Sequence, residues 1–323
     1  MKKKEFDRLD RAKVKSASYK VISYILIIVV ALLFVFPLYW IATGAFKTTA
    51  EVYAKEPVWW PTEWTMDSME KLTDRFDAPL FEIKIPALSF KLGEYRVKLG
   101  QAMTISGPQV PAVYRWLINT VFMAVMSMLL TCMTAAMAGY VLAKKRFWGR
   151  GIVFGLIVCA MALPKQVIMI PLLKIMGADG LNMRNTLWGV IFPIVGWPFG
   201  VFLLKQFSEG IPTEMVEACR IDGASEWRAF TDVMFPLIKP GVGALAIFTF
   251  VNSWNDYFMQ LLMLSATDKR TISVGIAMLQ GENTTDFGML MAGAALAAAP
   301  IILIFIIFQK YFTKGITMGA VKG

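Results

Sequence analysis

Residues 211–236 read IPTEMVEACRIDGASEWRAFTDVMFP and lie between two long apolar runs. A proline near the start and Gly223 are typical of the first turn and of the left-handed end of a helix, so the sequence predicts a short helix over residues 212–222. Ser225 is suited to cap a second helix, which we expect to end before Pro236. The segment is therefore predicted to form a helix-turn-helix.

Apolar side chains recur in this segment at helical spacing, although it also carries many charges. A solvated linker would account for the charges but not for the apolar positions, which are Met215, Ala218, Ile221, Trp227, Phe230 and Phe235. A helix with one apolar and one charged face fits a groove on another protein. We therefore predict that residues 208–240, called the docking loop below, bind a partner protein.

The composition of the whole chain is that of a membrane protein. Of its 323 residues, 57% are hydrophobic and 17% are charged, against about 45–50% and 25% in ordinary globular chains. This balance excludes a disordered tail, a disulfide scaffold and a typical cytosolic enzyme. There is no histidine, and the three cysteines have no metal-ligand spacing. We therefore predict no metal site.

Apolar runs long enough to cross a bilayer predict an all-α membrane protein with six transmembrane helices. The predicted spans are Val21–Phe46, Trp116–Ala143, Gly151–Ile175, Asn185–Phe207, Gly241–Leu264 and Gly288–Phe312. The chain then divides into a basic amino terminus at 1–20, a first helix at 21–46, an extracytoplasmic loop or small insertion at 47–115, a five-helix core at 116–313 that includes the docking loop, and a tail at 314–323.

Basic residues flank the spans unevenly, which predicts the orientation of the chain. Lysine and arginine favour the cytoplasmic side, and they cluster before the first span at Lys2, Lys3, Lys4, Arg8, Arg11, Lys13, Lys15 and Lys20. We therefore expect a multi-pass protein of the bacterial inner membrane with both termini and the docking loop in the cytoplasm. The net charge of +10 is explained by this topology, and we predict no binding of nucleic acid.

The docking loop resembles the EAA loop of the permease subunits of bacterial ABC importers, whose pattern is E-A-A-x3-G-x9-I-x-L-P. Glu217-Ala218-Cys219, Gly223 and the run from Val233 to Pro236 match it, with cysteine in place of the second alanine. Further matches to the sugar-importer branch are Ile170-Pro171-Leu172, Asn185-Thr186-Leu187-Trp188-Gly189, Ile221-Asp222-Gly223-Ala224 and Ser253-Trp254-Asn255-Asp256-Tyr257. The tail from Lys314 to Gly323 resembles that of the maltose-type permease subunit.

The resemblance implies a type I importer permease fold and a set of partners. These are a second permease subunit forming a heterodimer, a cytosolic ATPase dimer, an extracytoplasmic solute-binding protein and membrane lipid. It implies that the docking loop couples to the ATPase through Glu217, Ala218, Cys219, Asp222, Gly223 and Pro236. It also implies contacts of the tail residues Met318, Gly319 and Lys322 with the ATPase dimer.

The chain itself has no phosphate-binding G-x-x-x-x-G-K-[ST] loop. We therefore expect it to be no enzyme and to have no catalytic residue and no cofactor, with ATP hydrolysis left to its partners.

Polar residues inside the spans are the candidates for a substrate pathway. Lys165 lies in the third predicted span, where a lysine costs about 2.5–3.5 kcal/mol on insertion. It either extends to the membrane surface or lines a pathway for a substrate bearing carboxylates or sulfates. The fifth span carries a set suited to hydroxyl hydrogen bonds and ring stacking, or alternatively to bonding between helices: Asn252, Trp254, Asn255, Asp256 and Tyr257.

The segment before the second span contains alternating residues at 81–85 and 95–99, which predict a small β-hairpin or sheet. Contact with the binding protein is one hypothesis for this insertion, and a purely structural role is the other. For the whole chain we predict a permease for a sugar or oligosaccharide. The alternatives are a permease for an acidic glycan, glycerol phosphate or polyol, an ion-coupled secondary transporter, which would need more intramembrane charges, and an intramembrane enzyme, for which no nucleophile and base pair is present.

Overall fold

The computed structural model describes residues 2–85, 88–92, 95–99, 103–280 and 286–320, with side chains described over 19–82, 104–280, 286–307 and 309. The chain divides into two compact units. One comprises Met1–Leu72 and Thr285–Leu296, and the other comprises Thr73–Thr284 and Ala297–Gly323.

The first unit is built on a long helix followed by a folded loop. Its helices are α1 (Lys2–Gly44), α2 (Thr49–Val52) and the start of α3 (Asp67–Asp74). Thr48 and Glu51 form a capping box at α2, in which each side chain binds the backbone N–H of the other. Aromatic rings cover the end of α1, with Trp40 and Trp59 in edge contact at 6.0 Å.

Near its start, the second unit has a ribbon made of three successive pairs of strands. Its strands are β1 (Asp77–Pro79), β2 (Glu82–Ile85), β3 (Leu88–Leu92), β4 (Tyr95–Leu99), β5 (Met103–Ser106) and β6 (Gln109–Pro111). They pair antiparallel as β1 with β6, β2 with β5 and β3 with β4. Both stretches predicted as strands are confirmed as β2 and β4. They do not pair with each other, because β2 pairs with β5 and β4 pairs with β3.

The second unit contains α4 (Ala112–Lys144), which occupies the second predicted span, and further helices that follow it. They are α5 (Arg150–Met161), α6 (Lys165–Met176), α7 (Leu187–Val195), α8 (Pro198–Glu209), α9 (Glu214–Ile221), α10 (Glu226–Arg228), α11 (Phe235–Asn255), α12 (Tyr257–Met263), α13 (Ile272–Ala277) and most of α14 (Phe287–Ala320). Gly139 allows α4 and α8 to approach closely, because a Cβ there would lie 2.7 Å from the backbone nitrogen of Lys205.

The third predicted span, Gly151–Ile175, is not a single helix. It consists of α5 and α6, which meet at an angle of 105°. The residue before a proline is sterically disfavoured in the α conformation, so α5 ends before Leu163-Pro164 and a new helix starts at Lys165. Lys165, which was expected inside the third span, therefore lies in the first turn of α6.

The fourth and fifth predicted spans are also interrupted. Trp197 precedes Pro198 and is extended, with φ −61° and ψ 113°, so that α7 and α8 are separate helices. Asp256 separates α11 from α12, and its carboxylate accepts a hydrogen bond from the backbone N–H of Met259 at 3.5 Å. Asp256 was expected midway through a helix, but it caps the start of a new one.

The described residues contain five helices long and apolar enough to cross a membrane, or six if the bent pair α5 and α6 counts as one span. This agrees with the predicted six-span architecture. Two apolar clusters form the core of the second unit. One lies under the docking loop and includes Tyr140, Val216 and Phe230. The other, which is rich in methionine, joins α4, α6, α7 and α12.

Candidate functional site

One face of α9 anchors the docking loop to the rest of the second unit. Val216 is 1% exposed and Cys219 is half-buried, and both pack on the cluster that contains Tyr140 and Phe230. It is not the face that the helical spacing predicted on this helix, since Met215, Ala218 and Ile221 are exposed. The helix begins at Glu214, two residues later than expected, because Thr213 occupies the capping position.

The turn after α9 has the geometry that the sequence predicted. Gly223 has φ +80°, in the left-handed region, and the hydroxyl of Ser225 accepts a hydrogen bond from the backbone N–H of Arg228. The second helix does not end before Pro236. It continues through a π-helical turn at Ala229–Met234 into α11, and Pro236 lies in the first turn of α11, where its missing N–H is tolerated.

The opposite face of the docking loop is open. Glu217, Ala218 and Asp222 are all exposed, and the side chain of Ile221 is 86% exposed. Trp227, at the start of α10, is 61% exposed. The six residues implied as coupling residues therefore share one loop, of which only Cys219 is partly covered.

Glu226 braces this loop against α4, which the sequence analysis did not predict. Its Oε1 lies 3.0 Å from Nε of Arg220 in α9. Its Oε2 accepts a hydrogen bond from the Tyr140 hydroxyl at 3.2 Å and forms an ion pair with Lys145, just after α4. No spacing rule pairs Glu226 with Tyr140 and Lys145, which lie about eighty residues away in the sequence.

A second brace joins the end of α8 to its neighbours. Glu209 forms an ion pair with Lys205 at 2.6 Å and another with Arg150, at the start of α5, at 3.7 Å. Lys144 donates a hydrogen bond to the carbonyl oxygen of Ile211, at the start of the docking loop. These contacts fix the position of the docking loop on the ends of α4, α5 and α8.

The three helix breaks of the second unit meet at one cavity of about 420 Å³. Leu163 and Lys165 line it from the first break, Trp197 and Pro198 from the second, and Asp256 from the third. At membrane depth, backbone outside regular helices is stable only where protein or a water-filled cavity surrounds it. The prolines at 164 and 198 account for the first two breaks, but no local pattern predicted that the breaks converge.

The structure brings together some of the residues predicted for the pathway and separates others. Lys165, Asn252 and Asp256 line the cavity, and Nζ of Lys165 lies 3.9 Å from Oδ2 of Asp256. Trp254 is 1% exposed and stacks on Phe250 in the core, so it does not line the cavity.

Two more of the predicted pathway residues lie apart from the cavity. Asn255 and Tyr257 are not among the residues that line it. The amide of Asn255 donates to the carbonyl oxygen of Val251 at 3.0 Å.

Further lining residues had not been predicted. Ser253 lines the cavity, and its buried hydroxyl has no hydrogen-bond partner in the described part of the chain. Trp197 and Phe199 add two aromatic rings with centroids 5.0 Å apart. The motif quoted for the resemblance had included Ser253, whereas Trp197 and Phe199 had not been singled out from the sequence.

The tail residues fall at the limit of the described chain. The backbone at Met318 and Gly319 belongs to α14, which ends at Ala320, and Lys322 lies outside the described residues. The proposed tail contact therefore remains a prediction.

Comparisons with known proteins agree with this architecture. Residues 133–318 match the family described as the binding-protein-dependent transport system inner membrane component. The chain is 36% identical over 210 residues to the arabinooligosaccharides transport system permease protein of Bacillus subtilis, covering 65% of this chain and 74% of that protein. It is 26% identical over 321 residues to the diacetylchitobiose uptake system permease protein of Streptomyces coelicolor, covering 98% and 93%.

A solved structure has the same fold. It is a bacterial ABC transporter involved in the import of the acidic polysaccharide alginate, which matches with a TM-score of 0.69 and 20% identity over 91% of this chain and 96% of that one.

Proposed function

This chain belongs to the family of binding-protein-dependent transport system inner membrane components, so it is a permease subunit of an ABC importer, and we propose that its substrate is a sugar or oligosaccharide. The relatives named above are permeases for arabinooligosaccharides and for diacetylchitobiose. We propose further that the chain forms half of a heterodimeric pathway with a second permease subunit and that a binding protein delivers the substrate from outside.

The observation that carries the coupling proposal is the open face of a braced loop. Glu217 and Ala218 are exposed on α9, while the other face of the helix packs in the core. A protrusion that is fixed to the core can transmit movement. When a bound partner moves its exposed face, the helices to which the protrusion is fixed move with it. We propose that an ATPase subunit binds this face and that ATP is hydrolysed in the ATPase subunit.

We propose that the cavity at the helix breaks belongs to the substrate pathway. Interrupted helices mark binding sites in membrane transporters of other folds, where backbone and side-chain polar groups become available to a solute. Here Lys165, Asn252 and Asp256 are the residues of the predicted pathway that line the cavity. Both termini and the docking loop are proposed to lie in the cytoplasm, and the tail is proposed to contact the ATPase dimer.

The decisive experiment is reconstitution with the cognate ATPase, second permease and binding protein. We expect ATP-dependent uptake of a labelled neutral oligosaccharide by the complete assembly, and loss of both ATPase co-purification and uptake on Glu217→Lys. Glu63→Lys, which reverses an exposed charge outside the docking loop, is the matched control and should preserve both. Uptake driven by an ion gradient without any ATPase would overturn the proposal in favour of a secondary transporter.

A further inference from the structure

The cavity at the three helix breaks contains one positive and one negative side chain, and these are paired. We propose that it is a subsite for a neutral, polyhydroxylated ring, and that it disfavours acidic glycans. The inference rests on the proposed function, because it names the substrate class of the proposed pathway. It also replaces the hypothesis that an isolated Lys165 attracts carboxylates or sulfates.

The charges around the cavity are balanced. Of the described residues around the cavity, only Lys165 and Asp256 are ionisable, and Nζ and Oδ2 of the pair lie 3.9 Å apart. An acidic sugar would have to take Lys165 from its partner and leave Asp256 behind. Because the side chain of Asp256 is only 15% exposed, leaving that carboxylate unpaired would be strongly unfavourable.

Hydrogen bonding is the second argument. The amide nitrogen of Asn252 donates to the carbonyl oxygen of Phe248 at 3.0 Å, which leaves its amide oxygen as an acceptor. Ser253 also lines the cavity. Its hydroxyl is buried without a partner in the described part of the chain, so a ligand group that reached it would satisfy a buried polar atom. Sugar hydroxyls both donate and accept, so they suit this set.

Apolar surface and size are the third argument. Trp197 and Phe199 line the cavity with rings, and a flat aromatic face packs well against the C–H face of a sugar. The volume of about 420 Å³ lies toward the lower end of ligand sites, which span about 300–1,000 Å³. The cavity would therefore hold a short part of an oligosaccharide at a time.

The electrostatic part can be tested without knowing the sugar. Cysteine replaces Leu163, which lines the cavity at the first break, after Cys132 and Cys159 have been changed to serine or alanine. Cys219 is kept because it lies in the docking loop, and its labelling is measured without the Leu163 substitution and subtracted. The complete transporter in nanodiscs is treated with an anionic (sulfonatoethyl) and a cationic (trimethylammonioethyl) methanethiosulfonate, and both rates are divided by the rates of the same reagents with 2-mercaptoethanol, an uncharged thiol in solution.

We expect the anionic and cationic reagents to react with Leu163→Cys at a normalised ratio within about twofold of unity, because the paired charges cancel. Asp256→Asn should raise the ratio severalfold, Lys165→Gln should lower it severalfold, and the double variant should restore it. A strong preference for the anionic reagent that Asp256→Asn leaves unchanged would overturn the proposal.

Protection of the same cysteine tests the substrate class. We expect arabinotriose, a neutral probe, to slow the labelling of Leu163→Cys, and trigalacturonate to do so only in Asp256→Asn. Better protection by trigalacturonate in the variant with an intact ion pair would overturn the inference. So would the absence of protection by either sugar in a complex that retains ATP-dependent uptake, and in that case the permease function would stand. Loss of ATP dependence in the unsubstituted complex would instead contradict the proposed function.

Discussion

Nε of Arg220 lies 3.0 Å from Oε1 of Glu226, so an ion pair spans the turn between α9 and α10. The second carboxylate oxygen of Glu226 contacts the Tyr140 hydroxyl and Lys145 at the end of α4. One glutamate thus joins the exposed helix of the docking loop to the central helix of the second unit. The two contacts set the angle between them.

The first prediction concerns this brace. Glu226→Gln keeps the size of the side chain but removes its charge, so the ion pairs with Arg220 and Lys145 are lost. Because α9 remains anchored by Val216 in the core, we expect the ATPase still to co-purify. We expect uptake per ATP hydrolysed to fall severalfold, since movement of the partner is then transmitted less rigidly to α4.

Two controls accompany this variant. Glu226→Asp should retain most of the coupling ratio. Asp232→Asn should leave it unchanged, because Asp232 is an exposed carboxylate that accepts a hydrogen bond only from the adjacent Thr231 hydroxyl among the described contacts. An unaltered ratio of uptake to hydrolysis in Glu226→Gln would show that the brace has no part in transmission.

The second prediction concerns the turn at Gly223. A Cβ there would meet no atom within 4 Å, so any effect of a substitution must come from its φ of +80°. We expect Gly223→Val to strain the turn by about 1–2 kcal/mol and to reduce ATPase co-purification. Gly223→Asn should be milder, because asparagine tolerates the left-handed region. Equal losses in both variants would argue for a direct contact of the partner with the glycine.

The third prediction concerns packing between α4 and α8. Gly139→Ala would place a methyl group 2.7 Å from the backbone nitrogen of Lys205, and a backbone atom cannot rotate away as a side chain does. We expect a loss of about 1–3 kcal/mol in unfolding free energy, seen as a lower midpoint in thermal unfolding in detergent. Gly151→Ala in α5, where a Cβ meets nothing within 4 Å, should be neutral or slightly stabilising.

How much of this could be read from the sequence depends on the range of the interaction. The turn at Gly223 and the cap at Ser225 were predicted, because each rests on the backbone preferences of one or two residues. The helix breaks at Leu163-Pro164 and Trp197-Pro198 also have a local cause, because the residue before a proline is disfavoured in the α conformation.

The rest depended on side chains distant in the chain. The convergence of the breaks at Asp256 and the brace between Glu226 and Lys145 join residues from separate helices. No local pattern encodes such pairs, so the sequence showed their charges but not their partners.

The fourth prediction concerns the pH dependence of the loop after α1. Hydrogen bonds from the hydroxyl and the N–H of Thr62, and from the N–H of Thr48, lower the pKa of Glu51 to about 2. Because the pKa of the unfolded state is higher, about 4.3, these bonds stabilise the loop fully above that pH, and the stabilisation is lost as the pH falls toward 2.

Glu51→Gln, which cannot ionise, provides the comparison. We expect the variant to be cleaved faster than the unsubstituted protein by pepsin at pH 4.5, and the difference to shrink as the pH approaches 2. A difference that grows toward pH 2 would contradict the assigned bonds.

The last prediction concerns the ribbon of strands before α4. The two chains of the ribbon are joined at its base, where Ile83 pairs with Ile105. The backbone N–H of Leu80 also donates a hydrogen bond to the carbonyl oxygen of Pro108 at 3.0 Å. Replacing residues 84–104 by an Asn-Gly turn should therefore preserve the hairpin at its base and the thermal stability of the assembly.

If the ribbon contacts the binding protein, the concentration of binding protein needed to stimulate ATP hydrolysis should rise about tenfold in this variant, which corresponds to about 1.4 kcal/mol. In a matched variant, Gly and Ser residues flank the same Asn-Gly turn so that the ribbon keeps its original number of residues. This variant separates the loss of contact from the loss of length. Unchanged stimulation in both would assign the ribbon a purely structural role.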